Sequence, residues 1–229
     1  MSLRGKRSEV EVQAQEALTW LRAHAKKKLR DEMGPRYGLP NERALGVAMA
    51  DIKRLGKQLE RNHALAAALW DTGVYEARLL CSFVDDPAQV SAAQMDRWCR
   101  DFDNWGVCDT LCFNLFDRTP HALGKVRQWA RLRGEFQQRA AFALLACLAL
   151  HRRDLETETF LACLPLIEKA ADDERNFVKK AVSWALRAIA LRDAELRSAA
   201  LALAQHLAAS TETTPRWIGK DVLRQIKAR

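Results

Sequence analysis

The stretch Asp101–Cys112, DFDNWGVCDTLC, holds Trp105 and Asp109 four residues apart. On a helix that spacing sets an indole and a carboxylate one above the other on the same face, with Asp101 and Cys112 on the same side. A second stretch, FVKKAVSWALR from Phe177 to Arg187, puts Lys180, Trp184 and Arg187 on one side of its own helix, next to Lys179. A carboxylate in such company can stabilise a developing positive charge and hold a water. An indole face adds attraction for a cation of roughly 0.5–2 kcal/mol. On periodicity alone the alternative is two amphipathic tryptophans whose ring edges touch a capping acid. Trp20, Trp70, Trp98, Trp129 and Trp217 read as core or packing residues.

Helices must position these groups. The 229 residues contain 10 Gly and 6 Pro, and apolar residues recur at helical spacing nearly throughout, which predicts an all-α chain. A first helix is expected from about Ser8 to Asp31, then a loop over Met33–Val47, then a helix over about Met49–Arg61. Asn62 should cap the segment that Gly73 ends, and VYEARLLCSFV should run to Asp85-Asp86-Pro87. Ser91 with Gln94 suggests a capping box, and Asp103 a cap for the Trp105 helix, which reaches about Phe116. Thr119-Pro120 should open a helix to Leu132. Beyond Gly134 the Arg139–Leu150 segment is apolar enough to be the most buried helix. Asp154 should cap a helix interrupted near Pro165 that ends about Asp173. Arg175–Ala190, Asp193–Ala208 and a basic last helix from Thr214-Pro215 complete about twelve helices.

Short connections make neighbours antiparallel, so the chain reads as a series of helical hairpins. Their starts, such as Ser91, Asp154 and Asp193, recur about every 35–45 residues, the range of HEAT-like repeats. The expectation is one domain over residues 1–229, a curved solenoid (an α-α superhelix) with a cleft for an elongated partner. A globular bundle is the alternative.

Composition narrows the function classes. Hydrophobic residues at 48% and charged residues at 29% suit a soluble globular protein, and no apolar run is long enough to span a membrane. The start MSLRGKRSEVEVQ has no apolar segment behind its charges, which argues against secretion and for a cytoplasmic protein. Cys81, Cys99, Cys108, Cys112, Cys147 and Cys163 lie mostly on apolar helix faces, as buried reduced thiols do. Cys108 and Cys112 lack the companion ligands a zinc site needs, so neither metal nor organic cofactor is expected. The net charge of +8 favours a polyanionic partner, usually nucleic acid.

Three ordered motifs, NWGVCD, then QQRAAFALLACLAL opened by a lone arginine, then KKAVSWALR, resemble the AlkD-type bacterial DNA alkylation repair glycosylases. LWDTGVYEARLLCSFVDDP, MDRWCRDFDNW and the basic C-terminal helix are also similar to that family. The resemblance covers roughly Tyr37 to the end and is weakest over residues 1–36. It implies a HEAT-like-repeat fold, no cofactor, and removal of cationic alkylpurines such as 3-methyladenine and 7-methylguanine from duplex DNA. It further implies Asp109 as the catalytic carboxylate, Trp105 and Trp184 flanking the lesion's deoxyribose, and Arg139 on the DNA backbone beside it. Recognition would run through backbone and sugar, without a base pocket.

The basic set Arg139, Lys179, Lys180, Arg187, Arg216, Lys220 and Arg224 could line one side and contact phosphates. Arg139, at the head of so apolar a helix, requires an anionic partner or an exit to solvent. The chain is thus expected to be a monomeric glycosylase acting on double-stranded DNA. The competing readings are a non-catalytic protein binding distorted or branched DNA, and a protein-binding HEAT solenoid with acidic partners.

Overall fold

The computed structural model describes residues 3–40 and 42–227, and all of the regular structure among them is helical. One compact unit, ending at Ser91, holds α1 (Leu3–Ala23), α2 (Lys27–Tyr37), α3 (Met49–Leu59), α4 (His63–Asp71) and α5 (Tyr75–Val84). A second, from Ala92 onward, holds α6 (Ala92–Arg100), α7 (Trp105–Asn114), α8 (Ala122–Trp129), α9 (Glu135–His151) and α10 (Thr157–Leu161). It continues through α11 (Leu164–Ala170), α12 (Asn176–Ile189), α13 (Ala194–Ala208) and α14 (Thr213–Lys227), with a 3₁₀ turn at Phe116–Arg118 after α7.

Several predicted boundaries move, each for a local reason. The first helix is two, because Lys26 turns extended and its N–H goes to the Gly46 carbonyl at 3.1 Å instead of continuing the ladder. Part of the predicted loop after Met33 is helix: α2 runs through Pro35 and stops at Gly38, whose φ of 62° is left-handed. Asn41 in that loop lies outside the described residues, as do Ala228 and Arg229. The rest of the loop is pinned by the buried Glu76 carboxylate, which accepts from the N–H groups of Leu45, Gly46 and Val47. α8 begins at Ala122 rather than at Thr119-Pro120, since the Thr119 hydroxyl turns back to the Phe116 carbonyl at 2.8 Å. Asp154 pairs with Arg152 instead of capping, and Glu156 occupies the N-cap of α10. The caps at Asn62 and Asp193 form as the residue types predict, accepting from Leu65 and Leu196.

In the second unit α7, α9, α12 and α14 lie side by side in that order, with α8 behind α9, α11 behind α12 and α13 behind α14. The four run in the same direction. Cys108 meets Phe136 and Cys112 meets Ala140 across α7 and α9. Lys179 meets Trp217 and Ser183 meets Asp221 across α12 and α14. α9 is the centre of this layer: every residue from Arg139 to Ala149 is buried. At Gly219 a Cβ would stand 2.3 Å from the Ala208 N and 2.4 Å from the Ala204 carbonyl oxygen, so α13 and α14 approach to backbone contact.

Candidate active site

Helix α7 starts at Trp105 because Asn104 is extended and its Oδ1 accepts from the Val107 N–H at 2.9 Å. Asp103, the expected cap, stands one residue too early for that bond. Its carboxylate instead accepts from the Asn104 side-chain amide at 2.6 Å, holding the cap's oxygen toward the helix. Asp101 falls in the turn before α7, so the predicted four-residue cluster divides: Trp105 and Asp109 share the helix, and Asp101 is off it. Trp105 is half-buried, while Cys112 faces α9, its thiol 3.7 Å from the Ala140 carbonyl.

The Asp109 carboxylate is gripped from α9. Arg139 donates from Nε to Oδ1 at 2.9 Å and from Nη2 to Oδ2 at 2.6 Å, a bidentate fork, and from Nη1 to the Phe177 carbonyl of α12 at 2.7 Å. One residue thus ties three neighbouring helices together. The Phe177 ring, 5.9 Å from the guanidinium carbon and 5.3 Å from the Phe136 ring, shields it. The arginine side chain is 8% exposed and the aspartate side chain 20%, so the aspartate is the more open partner of the pair. Burial pushes the Asp109 carboxyl above the ordinary aspartate range, against the downward pull of Arg139 and Cys108. Burial works to lower Arg139, and the Asp109 charge and hydrogen bonds more than reverse it.

This assigns Arg139 a place that spacing did not show. The anionic partner it requires is Asp109, and three of its five guanidinium N–H donors are engaged within the protein, seating it as a clamp on the acid. Trp184 is half-buried and lines a pocket of about 170 Å³ with Leu150, Arg187, Ala188, Leu191, Gln225 and Ile226. Leu150 stands eleven residues after Arg139 on α9, about 16 Å of helix rise. The pocket therefore opens toward the C-terminal end of the layer and the ion pair lies toward its N-terminal end.

The other basic residues divide. Lys180 and Lys220 are exposed. Lys179 lies with its ammonium 5.3 Å from the centre of the Trp217 ring, and Trp217 is 37% exposed rather than a packing residue. Trp20, also read as packing, is half-buried, stacked on His24 with the Arg54 guanidinium 5.5 Å from its ring; Trp70, Trp98 and Trp129 are core. Arg187 donates to the Ser183 carbonyl, Arg216 to the Thr211 carbonyl, and Arg224 to the Asp221 carboxylate, which also accepts from the Ser183 hydroxyl. The six cysteines are free and buried, and among the described residues no three His, Cys, Asp or Glu side chains converge on a metal position. Sequence reasoning missed Phe177, whose contribution is a carbonyl and a shielding ring. Its only signal was an aromatic at the head of a basic helix.

An all-helical chain of antiparallel hairpins, with a clamped acid on its central layer, has the HEAT-like-repeat glycosylase fold. The chain belongs to the DNA alkylation repair enzyme family, whose model matches residues 17–224. Among solved structures it is similar, at 18% identity and a TM-score of 0.79, to a protein described as one of a new family related to the HEAT-like repeat DNA glycosylases with affinity for branched DNA structures. That match covers 93% of this chain and 94% of the other. No curated protein matches the chain at a significant level.

Proposed function

We propose that the protein is a DNA N-glycosylase that hydrolyses the glycosidic bond of cationic alkylpurines, 3-methyladenine and 7-methylguanine, in double-stranded DNA, acting as a monomer in the cytoplasm. The observation that carries this reading is the Asp109 carboxylate: held by two bonds from Arg139, yet one-fifth exposed. Each carboxylate oxygen has two lone pairs, and Arg139 takes one from each. Of the remaining two, the Cys108 thiol engages one, and the other is left for a water or for the charge that develops on a sugar.

Glycoside hydrolysis commonly uses two carboxyls, one to protonate the leaving group. A purine alkylated at N3 or N7 already carries positive charge and departs as a neutral base, so that acid is dispensable. One carboxylate then suffices to stabilise the oxocarbenium-like sugar and orient the attacking water. Trp105, one helical turn before Asp109, adds an indole on the same helix. Trp105 and Trp184 flank the lesion's deoxyribose, and the cations Lys179, Lys180, Arg187, Arg216, Lys220 and Arg224 serve the DNA backbone. Arg139 positions the catalytic acid.

Incubation with methylated duplex DNA tests this. Free 7-methylguanine should appear, and Asp109→Asn should slow its release by about 10²–10³ while still binding the duplex. Release at the wild-type rate by that variant would remove Asp109 from the chemistry. A second reading, non-catalytic binding of branched DNA, is favoured by the affinity described for the structural relative and by the compensation of the Asp109 charge by Arg139. It expects tighter binding to a branched junction than to a duplex, and no base release.

A further inference from the structure

The pocket beside Trp184 has no part in the excision chemistry derived above. Lys180, Trp184 and Arg187 recur at helical spacing and form one row down α12, with Leu191 in the turn just after it. Toward the C-terminal end of that row lies a recess lined by the Trp184 side chain, by the apolar Leu150, Ala188, Leu191 and Ile226, and by the polar Arg187 and Gln225. Arg187 uses Nε on the Ser183 carbonyl, which leaves the terminal amino groups of its guanidinium as donors. Gln225 is exposed and offers both a carbonyl and an amide. The exposed Lys180 stands one turn above, where a phosphate would lie.

We propose that this recess is a second DNA-recognition site, which takes an unpaired pyrimidine base. The proposal rests on the DNA-binding part of the function above but not on excision. The lining suits a nucleobase: an aromatic side chain for stacking, apolar neighbours, and donors with an acceptor among them, against which thymine or cytosine can set its carbonyl and its N–H groups. Size selects the ring. A cavity of about 150 Å³ takes one benzene ring, so the roughly 170 Å³ here holds a single six-membered ring and excludes much of a fused purine. Position sets the register. Trp184 stands seven residues after Phe177 on α12, about 10 Å of helix rise, so the recess is offset along the helix from the Arg139–Asp109 pair that Phe177 touches, and its occupant is an unpaired base other than the one whose bond lies at Asp109. A fully paired duplex has no such base to offer, whereas a flap, a gap or a junction does.

Binding of the full-length protein to four unmethylated probes tests this: a paired duplex, and duplexes with a three-nucleotide unpaired tract of thymines, of adenines, or of abasic spacers. The thymine tract should bind about tenfold more tightly than the spacer tract, as expected for one stacked base, with the adenine tract between them. Leu191→Trp, which fills the recess from an exposed position, should abolish the thymine preference and leave paired-duplex affinity unchanged. Gln225→Ala should reduce the preference a few-fold. Equal affinity for thymine and spacer tracts, or a thymine preference that survives Leu191→Trp, overturns the proposal. Base release from methylated duplex, measured in parallel, separates the two readings. Release without thymine preference sinks only the pocket, thymine preference without release sinks only the glycosylase, and absence of DNA binding sinks both.

Discussion

Two aspartates on consecutive helices are each reached by a cation from a later helix, yet their surroundings do opposite things. Asp96 on α6 accepts from Lys125 at 2.6 Å, from the Trp129 indole at 2.8 Å and from Gln128. Burial works to raise it, but those donors outweigh burial and its carboxyl lies below the ordinary range. Asp109 on α7 receives only Arg139's fork and a Cys108 contact, and burial wins. A carboxylate supplied with three different donors is a joint between helices. Solvent access does not separate the two, since the Asp96 side chain is 26% exposed and that of Asp109 20%; the number of donors does, and with it the direction in which each carboxyl is shifted. On the proposed function the first is a structural acid and the second a chemical one.

The largest expected effect is at the joint. Asp96→Ala leaves the Lys125 ammonium, 8% exposed, without its counter-charge and the Trp129 N–H without its acceptor, and should cost about 3–5 kcal/mol of stability. Urea unfolding checks this, and base release per folded molecule should be unchanged. Asp109→Asn strips the counter-charge from a guanidinium that is likewise 8% exposed, so it should also cost stability, about 3–5 kcal/mol, but unlike Asp96→Ala it should lower release per folded molecule by about 10²–10³. If both variants lose stability equally and neither changes release per folded molecule, the two acids are the same kind of object.

The pH dependence sharpens the contrast. Asp109's folded pKa is raised, so on the proposed mechanism, which uses the ionised form, release is lost as pH falls through a midpoint above the ordinary 3.8. The same shift means Asp109 contributes no stability on ionising: stability declines slightly as pH rises from 3.8 through the folded value. Asp96, with its folded pKa lowered, stabilises fully above 3.8 and loses that contribution as pH falls through its folded value. Arg139→Ala removes the pull on Asp109 and should move the acid limb of the release profile further upward; an unmoved limb would detach Asp109 from it. The smallest effect is at the exposed Lys180. Lys180→Ala should weaken duplex binding a few-fold and lower the slope of log affinity against log salt by about 1, with release at saturating DNA unaltered.

Much of this was legible in the residues. Helical periodicity located most of the elements and short connections made them hairpins, because apolar spacing and turn chemistry are local properties. The boundaries that moved did so through contacts from outside the segment: the Lys26 N–H reaching Gly46, and the Thr119 hydroxyl bonding back before a helix could begin. Trp217 read as packing because its own helix is amphipathic; its exposure beside Lys179 follows from the helix next to it. Arg139 could be identified as needing an anion, but thirty residues separate it from Asp109, and no local rule pairs them.

The amino-acid order by itself determined the all-α class, the caps at Asn62 and Asp193, the buried helix through Ala140–Ala149, and a basic chain with an acid one turn from a tryptophan. Those follow from interactions within a few residues. That Arg139 closes on Asp109 and Phe177, and that Trp184 lines a recess with Gln225, was decided only when α7, α9, α12 and α14 came to lie side by side in one direction. Charge pairing and cavity shape depend on distances through space, and a linear pattern specifies those only after packing has brought remote residues together.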